Sequence, residues 1–112
     1  MSVEKSSIQF VNQLEDILSD NKAYDVQTFK MKEFISENVI IATSLNSVHS
    51  FALSEKIVEF AKNMGNFCIV DGDAKDGWVA VELPFANTLI HLMVKEKREY
   101  YNIEEILHSG KK

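Results

Sequence analysis

Two short stretches late in the chain alternate in character, and that alternation limits the fold more than any other feature. Trp78 to Leu83 reads Trp-Val-Ala-Val-Glu-Leu, and Thr88 to Val94 reads Thr-Leu-Ile-His-Leu-Met-Val. Successive side chains of a strand point to opposite sides, so a period of two marks strands with two unlike faces. Val79, Val81 and Leu83 make one aliphatic face, continued by Ile90, Leu92 and Val94. Trp78, Ala80 and Glu82 make the other, continued by His91 and Met93. Pro84-Phe-Ala-Asn87 between them is turn material, so the pair is a hairpin. A lone hairpin is marginal in water. The rest of the chain must therefore supply further strands and a layer to cover the aliphatic face.

Upstream the period changes. Ile8, Val11, Leu14 and Leu18 recur at spacings of three and four, the stripe of a helix capped by Ser6 or Ser7 and ending near Asp20. Tyr24 to Phe29 alternates like a strand, and Met31 to Glu37 is a connector. Val39-Ile-Ile-Ala-Thr43 is a continuous apolar run, the pattern of a strand buried on both faces. Asn46 or Ser47 caps a second helix, Val48 to Met64, whose inner face is expected at Val48, Phe51, Ala52, Val58 and Ala61. Gly65 stands just past its end, where a left-handed residue stops a helix. Phe67 to Val70 reads as a third strand and Asp71 to Gly77 as a polar turn. Strand, helix, strand at this length makes a parallel crossover, nearly always right-handed. The tail from Lys97 to Leu107 should hold one or two short helical turns, and His108 to Lys112 should fray. The order α-β-β-α-β-β-β-α predicts an α/β fold, one mixed sheet of about five strands with flanking helices. Residues 1–112 carry no repeat or linker and read as a single domain.

Charge narrows the range of partners. Twelve basic against 17 acidic residues give a net charge of −5. Phosphate contacts need the opposite balance, so direct sequence-specific nucleic-acid binding is not expected. An acidic chain suits a basic protein, because opposite charge speeds encounter. The single Cys68 rules out an internal disulfide and fits a reducing compartment. No apolar run is long enough to span a bilayer, and no secretory or transit pattern marks the N-terminus. A cytoplasmic protein without a membrane is expected.

Catalytic and metal chemistry find little support. Asp71-Gly-Asp-Ala-Lys-Asp76 looks at first like a calcium loop, but Lys75 stands where a ligand is needed and Asp76 where the hinge glycine belongs. A solvated approach to the hairpin is the plainer reading. A nucleotidyltransferase needs a Gly-Ser helix start and carboxylates converging on Mg²⁺. Thr43-Ser44 stands at the strand-to-helix turn without a glycine, and only Asp71 and Asp73 pair at all. His49, His91 and His108 have no metal spacing; His49 reads as an exposed helix-start residue. Cys68 has no histidine near it in sequence and reads as a small apolar residue rather than a nucleophile. Lys95, Lys97, Arg98, Tyr100 and Tyr101 could stack on RNA, but Glu96, Glu99, Glu104 and Glu105 interleave with them, and a solvated tail packing one tyrosine on the sheet is the plainer reading. Neither a cofactor, a metal site nor a catalytic residue is expected.

What remains is a surface. Trp, Tyr, Met and Arg are enriched where proteins meet. The mixed hairpin face, Trp78, Ala80, Glu82, His91 and Met93, has the make-up of an interface centre with a polar rim. The plain alternative is that one of the chain's own helices covers it.

Several of these segments, in order and spacing, resemble the Iojap-like ribosomal silencing factors. Asn38-Val-Ile-Ile-Ala-Thr43 is similar to the family's Ile-Ala-Thr strand, and Asn46-Ser-Val-His49 to its Ser-x-x-His helix start. Gly77-Trp78, Ile90-His91-Leu92 and the run from Arg98 to Leu107 match the Trp strand, the Val-His-Val strand and the Arg-x-x-Tyr-x-Leu-Glu-x-Leu tail. The likeness covers Ala23 to Leu107. Four places depart from it: the hairpin turn is two residues longer, Ser36-Glu37-Asn38 replaces Ala-Asp-Tyr, Ser44-Leu45 replaces Gly-Thr, and the tail lacks a Trp. The resemblance implies a mixed α/β fold distantly like nucleotidyltransferases. It implies binding to the large ribosomal subunit through its ribosomal protein fourteen, which blocks subunit joining and represses translation without catalysis. It implies partner contacts at Trp78, Ala80, Glu82, His91, Met93, Arg98 and Tyr101. A free chain pairing as a homodimer stays open, and the alternative function is a nucleotidyltransferase-like enzyme or nucleotide-binding module.

Overall fold

The structure, a computed structural model, describes the backbone of residues 3–31 and 37–110 and the side chains of 9–31 and 37–107. In chain order the elements are α1 (Val3–Asp20), β1 (Tyr24–Lys30), β2 (Asn38–Ser44), α2 (Ser47–Asn63), β3 (Ile69–Asp73), β4 (Trp78–Leu83), β5 (Thr88–Val94), α3 (Lys95–Tyr101) and α4 (Ile103–Gly110). Single 3-10 turns stand at Ala74–Asp76 and Pro84–Ala86. This is the expected mixed α/β order, with the tail resolved into two short helices. Helix α1 begins ahead of the expected caps Ser6 and Ser7. Residues 32–36 of the expected connector, the side chains of Ile8 and His108, and residues 111–112 of the stretch expected to fray lie outside the described residues, whereas 108–110 continue α4.

The five strands lie in the order β1-β2-β5-β4-β3. Strands β2 and β5 are parallel, and every other neighbouring pair is antiparallel. Strand β3 therefore runs parallel to β2 three places away, so α2 makes a parallel crossover spanning β5 and β4. Central β2 is buried along its whole length, which is why it reads as unbroken apolar sequence rather than alternation.

Helices α1 and α2 cover one side of the sheet. Val11, Leu14 and Leu18 of α1 meet Ile40, Ala42, Val79, Val81, Leu83, Ile90 and Leu92 in one buried cluster. The aliphatic hairpin face is thus the main core, as its pattern predicts. Both helices stop the same way. After α1 the Ala23 N–H donates to Leu18 O at 2.9 Å with Lys22 left-handed. After α2 the Asn66 N–H donates to Ala61 O at 2.9 Å with Gly65 at φ +73°. These six-to-one bonds satisfy carbonyls that the helix end leaves open.

Two expectations are corrected. The inner face of α2 is Ser50, Leu53, Ser54, Ile57 and Ala61, not the Val48-Phe51-Ala52-Val58 side; only Ala61 is shared. Val48 is 78 % and Phe51 58 % exposed. The two serines can sit inside because their hydroxyls are satisfied: Ser50 Oγ pairs with Ser44 Oγ, and Ser54 Oγ donates to Phe51 O at 2.7 Å. Their small size brings the helix close to the sheet. The third strand starts two residues later than expected and continues through Asp71 and Asp73. Those acids therefore belong to a sheet edge, with only Ala74–Asp76 left to turn.

Candidate docking face

The other side of the sheet is closed over one half and open over the other. Residues paired across the ladders share this side: Trp78 with Met93, Ala80 with His91, Glu82 with Leu89, and Ile69, Asp71 and Asp73 with Glu82, Ala80 and Trp78. Over β1 and β2, helix α4 seals a second cluster of Phe29, Met31, Val39, Ile41, Met93 and Leu107, with Trp78 and Ile103 packed at its margin. Over β4 and the facing part of β5, Trp78, Ala80, Glu82 and His91 are only half-buried, with Tyr101 of α3 against Trp78.

The margin is built around Trp78. Its indole N–H donates to His91 Nδ1 at 3.0 Å. Its ring lies 4.9 Å from that of Tyr101, which in turn meets Tyr100 edge-on at 4.9 Å and has Lys97 Nζ at 5.9 Å. Because Nδ1 accepts, the imidazole proton sits on Nε2. Burial holds the His91 pKa down at about 4, so the ring is neutral near pH 7. A cleft of about 280 Å³ opens beside it, lined by Trp78, Ala80, His91 and Tyr101 on one side and by Asp71, Asp73 and Asp76 on the other. Asp73 Oδ1 accepts the Lys75 N–H at 3.0 Å.

The structure brings together Trp78, Ala80, His91 and Tyr101 from the expected set, with Glu82 farther along the same side. It removes two residues from the accessible surface. Met93 is fully buried beneath α4. Arg98, 5 % exposed, is a clasp. Its guanidinium donates to Asp25 O at 2.6 Å, Thr43 Oγ1 at 2.7 Å and both Glu104 carboxylate oxygens at 3.1 and 3.0 Å. Expecting either residue to face a partner is therefore corrected: short helical turns are expected in the tail, but not that α4 folds back onto the second cluster and offers Arg98 a carboxylate six residues on. The acids of β3 were missed as members of this face; their spacing at Asp71 and Asp73 is the period-two signal that could have shown it.

Other expected chemistry is absorbed internally. His49 is not a free helix-start residue: Nδ1 accepts the Leu45 N–H at 2.8 Å and Nε2 lies 2.7 Å from Asn21 O, pinning the end of α1 to the start of α2. Thr43 and Ser44, at the turn where a nucleotidyltransferase would hold its nucleotide, are bonded to Arg98 and Ser50. Cys68 packs at the edge of the main core, and burial raises its thiol pKa against a smaller pull from Lys62. Among the described residues no group of three or more His, Cys, Asp or Glu could hold a metal ion, and no helix is long and apolar enough to cross a membrane.

Residues 4–112 match the family described as "Ribosomal silencing factor during starvation". The chain belongs to this family. It is 26 % identical over 96 residues to a Haemophilus influenzae protein named ribosomal silencing factor RsfS, covering 83 % of this chain and 92 % of that one. It is 27 % identical over 106 residues to the chloroplastic Iojap protein of Arabidopsis thaliana, covering 91 % of this chain but only 43 % of Iojap. Two crystal structures share the fold. One, from Chromobacterium violaceum, has a TM-score of 0.80 at 23 % identity and covers all of this chain and 90 % of its own. The other, from Bacillus halodurans, has a TM-score of 0.74 at 24 % identity, covering 88 % and 93 %. Membership makes this a ribosomal silencing factor, a regulator of translation.

Proposed function

We propose that this chain represses translation in the cytoplasm by docking the open half-face onto the large ribosomal subunit, through its ribosomal protein fourteen, and so preventing the small subunit from joining. The supporting observation is an aromatic centre, Trp78 with His91 and Tyr101, left open beside an acidic rim. Aromatic anchors next to a charged rim are the usual anatomy of a protein interface. The acid rim favours a basic protein surface, and the net charge of −5 disfavours bare RNA. Exclusion needs no chemistry.

The test is co-sedimentation with separated subunits, followed by joining assays. The chain pellets with large subunits and lowers the yield of joined ribosomes when added before small subunits. Trp78→Ala weakens that binding by about 2 kcal/mol, roughly thirtyfold. It also costs about 1–2 kcal/mol of stability, since the ring packs on Tyr101 and the second cluster. Equal binding to both subunits, or binding lost only in proportion to unfolded mutant, would sink the reading.

A further inference from the structure

The two edges of this sheet are treated differently. Edge strand β1 is blunted. Its register slips between Tyr24 and Gln27, Asp25 is left-handed at φ 51°, and the Asp25 carbonyl is taken by Arg98. Bulges of this kind twist an edge away from new partners. Edge strand β3 also holds one left-handed residue, Gly72 at φ +90°, but no slip of register. Its pairing with β4 runs unbroken from Ile69 to Asp73, and all five of its residues are exposed. Ile69 and Val70 are 48 % and 47 % exposed, and Phe67 just ahead is 66 % exposed. Gly72 carries no side chain; a Cβ there would stand 2.6 Å from the Trp78 carbonyl oxygen. The backbone that Gly72 lets come close is that of β4, which keeps the outer edge of β3 free of side-chain bulk at this position.

We propose that β3 is a strand-addition site, and that its occupant is an extended basic segment of a partner protein, alternating Lys or Arg with aliphatic residues. Charge selects the occupant. Asp71 and Asp73 project to the Trp78 side and Asp76 follows them; the basic Lys75 among them is already ion-paired with Asp73 at 4.0 Å. A second copy of this chain adding at β3 in antiparallel fashion would bring Asp71 and Asp73 of both copies together, and like charges opposed in a ladder destabilise it. Basic side chains of an added strand would meet these acids on one side, and aliphatic ones would meet Val70 on the other. Main-chain bonds then supply affinity and the alternation supplies selectivity. This site stands on the edge geometry and does not depend on the face-on docking proposed above.

The probe is the acetylated, amidated peptide Lys-Val-Arg-Val-Lys-Val, with a control N-methylated at every second residue, so that charge is kept and pairing along one edge is blocked. Added to the full chain, the unmodified peptide slows hydrogen exchange at β3 amides, and the control binds at least about tenfold more weakly. Val70→Lys and Ile69→Lys each weaken the peptide while the fold, followed by circular dichroism, is kept. Trp78→Ala leaves peptide binding unchanged, which separates this site from the sheet face. Equal binding of peptide and control, or loss of peptide binding in Trp78→Ala without any change at β3 amides, overturns the proposal. Concentration-dependent protection of β3 amides in the chain alone assigns the edge to a second copy and overturns the basic occupant.

Discussion

The same sheet is finished differently on its two sides. One side is sealed by two long helices, and the aliphatic residues of β4 and β5 that face them are completely or nearly completely buried. Among the described residues the other is covered where the short α3 and α4 lie, and the covered part ends at Trp78. The two sides thereby differ in closure. The side that alternation makes purely aliphatic carries the fold. The side that mixes Trp, His, Ala and Glu is half packed into the fold and half open. The division cuts across single strands: on β5, Met93 is interior while His91, two residues back on the same side, reaches the cleft.

The sharpest way to break this comparison is at its buried ends. Ile90→Ala, on the sealed side, should cost about 3–4 kcal/mol in urea unfolding, the scale for truncating a fully buried aliphatic residue. Met93→Ala, on the other side, should cost about 2–3 kcal/mol if α4 is a firm cover. A Met93 cost below about 1 kcal/mol would mean that α4 lifts readily and that the second side is open throughout.

Arg98→Met tests the clasp that fixes this cover. It deletes bonds from one buried guanidinium to β1, β2 and α4 and leaves the half-buried Glu104 without its partner. Breaking a buried pair by removing one member is strongly destabilising. With Glu104 partly solvated, about 3 kcal/mol is expected, with faster hydrogen exchange in α4 and little change in α1. Uniform loss of protection across the chain would instead tie the clasp to the whole core.

His91 gives the comparison a pH dependence. Its folded pKa is about 4, below the ordinary value of about 6.5. Between those values the unfolded chain takes up a proton that the folded chain does not, so stability falls as pH drops from about 6.5 to about 4. The effect is on the order of 2–3 kcal/mol, and protonation of Nδ1 also removes the acceptor for the Trp78 indole. His91→Gln should flatten this part of the pH–stability curve. An unchanged slope in the variant would mean that the ring is more solvated than its packing against Trp78 implies.

Element order was legible because each period was clean: two in the hairpin, three to four in α1, and none in the doubly buried β2. The helix stop at Gly65 was legible for the same local reason. What could not be read depended on contacts between distant residues. Ser50 and Ser54 read as polar, yet they face the sheet because Ser44 and a local carbonyl satisfy them. Arg98 reads as a surface cation until α4 returns Glu104 to it. His49 reads as exposed until Asn21, 28 residues earlier, is found against its ring. The candidate site was half legible. Its aromatic centre lies in the hairpin pattern, whereas its acidic rim became visible only when β3 was seen to continue past Val70.

The smallest expected effect concerns the one helix face that sequence placed wrongly. Phe51 is 58 % exposed on the outside of α2, whereas Leu53, two residues on, is 1 % exposed and packed in the main cluster. A large apolar side chain is normally the better candidate for burial, which is why the pattern favoured Phe51. Hydroxyls with local partners turn the helix the other way. Phe51→Ser should therefore change stability by no more than about 0.5 kcal/mol, as for other surface substitutions, and should raise solubility by removing an exposed large apolar side chain. Thermal unfolding of Phe51→Ser beside Leu53→Ala decides the matter. A loss above about 1.5 kcal/mol for Phe51→Ser would turn this helix face inward, and the sealed side of the sheet would need a different packing from the one described.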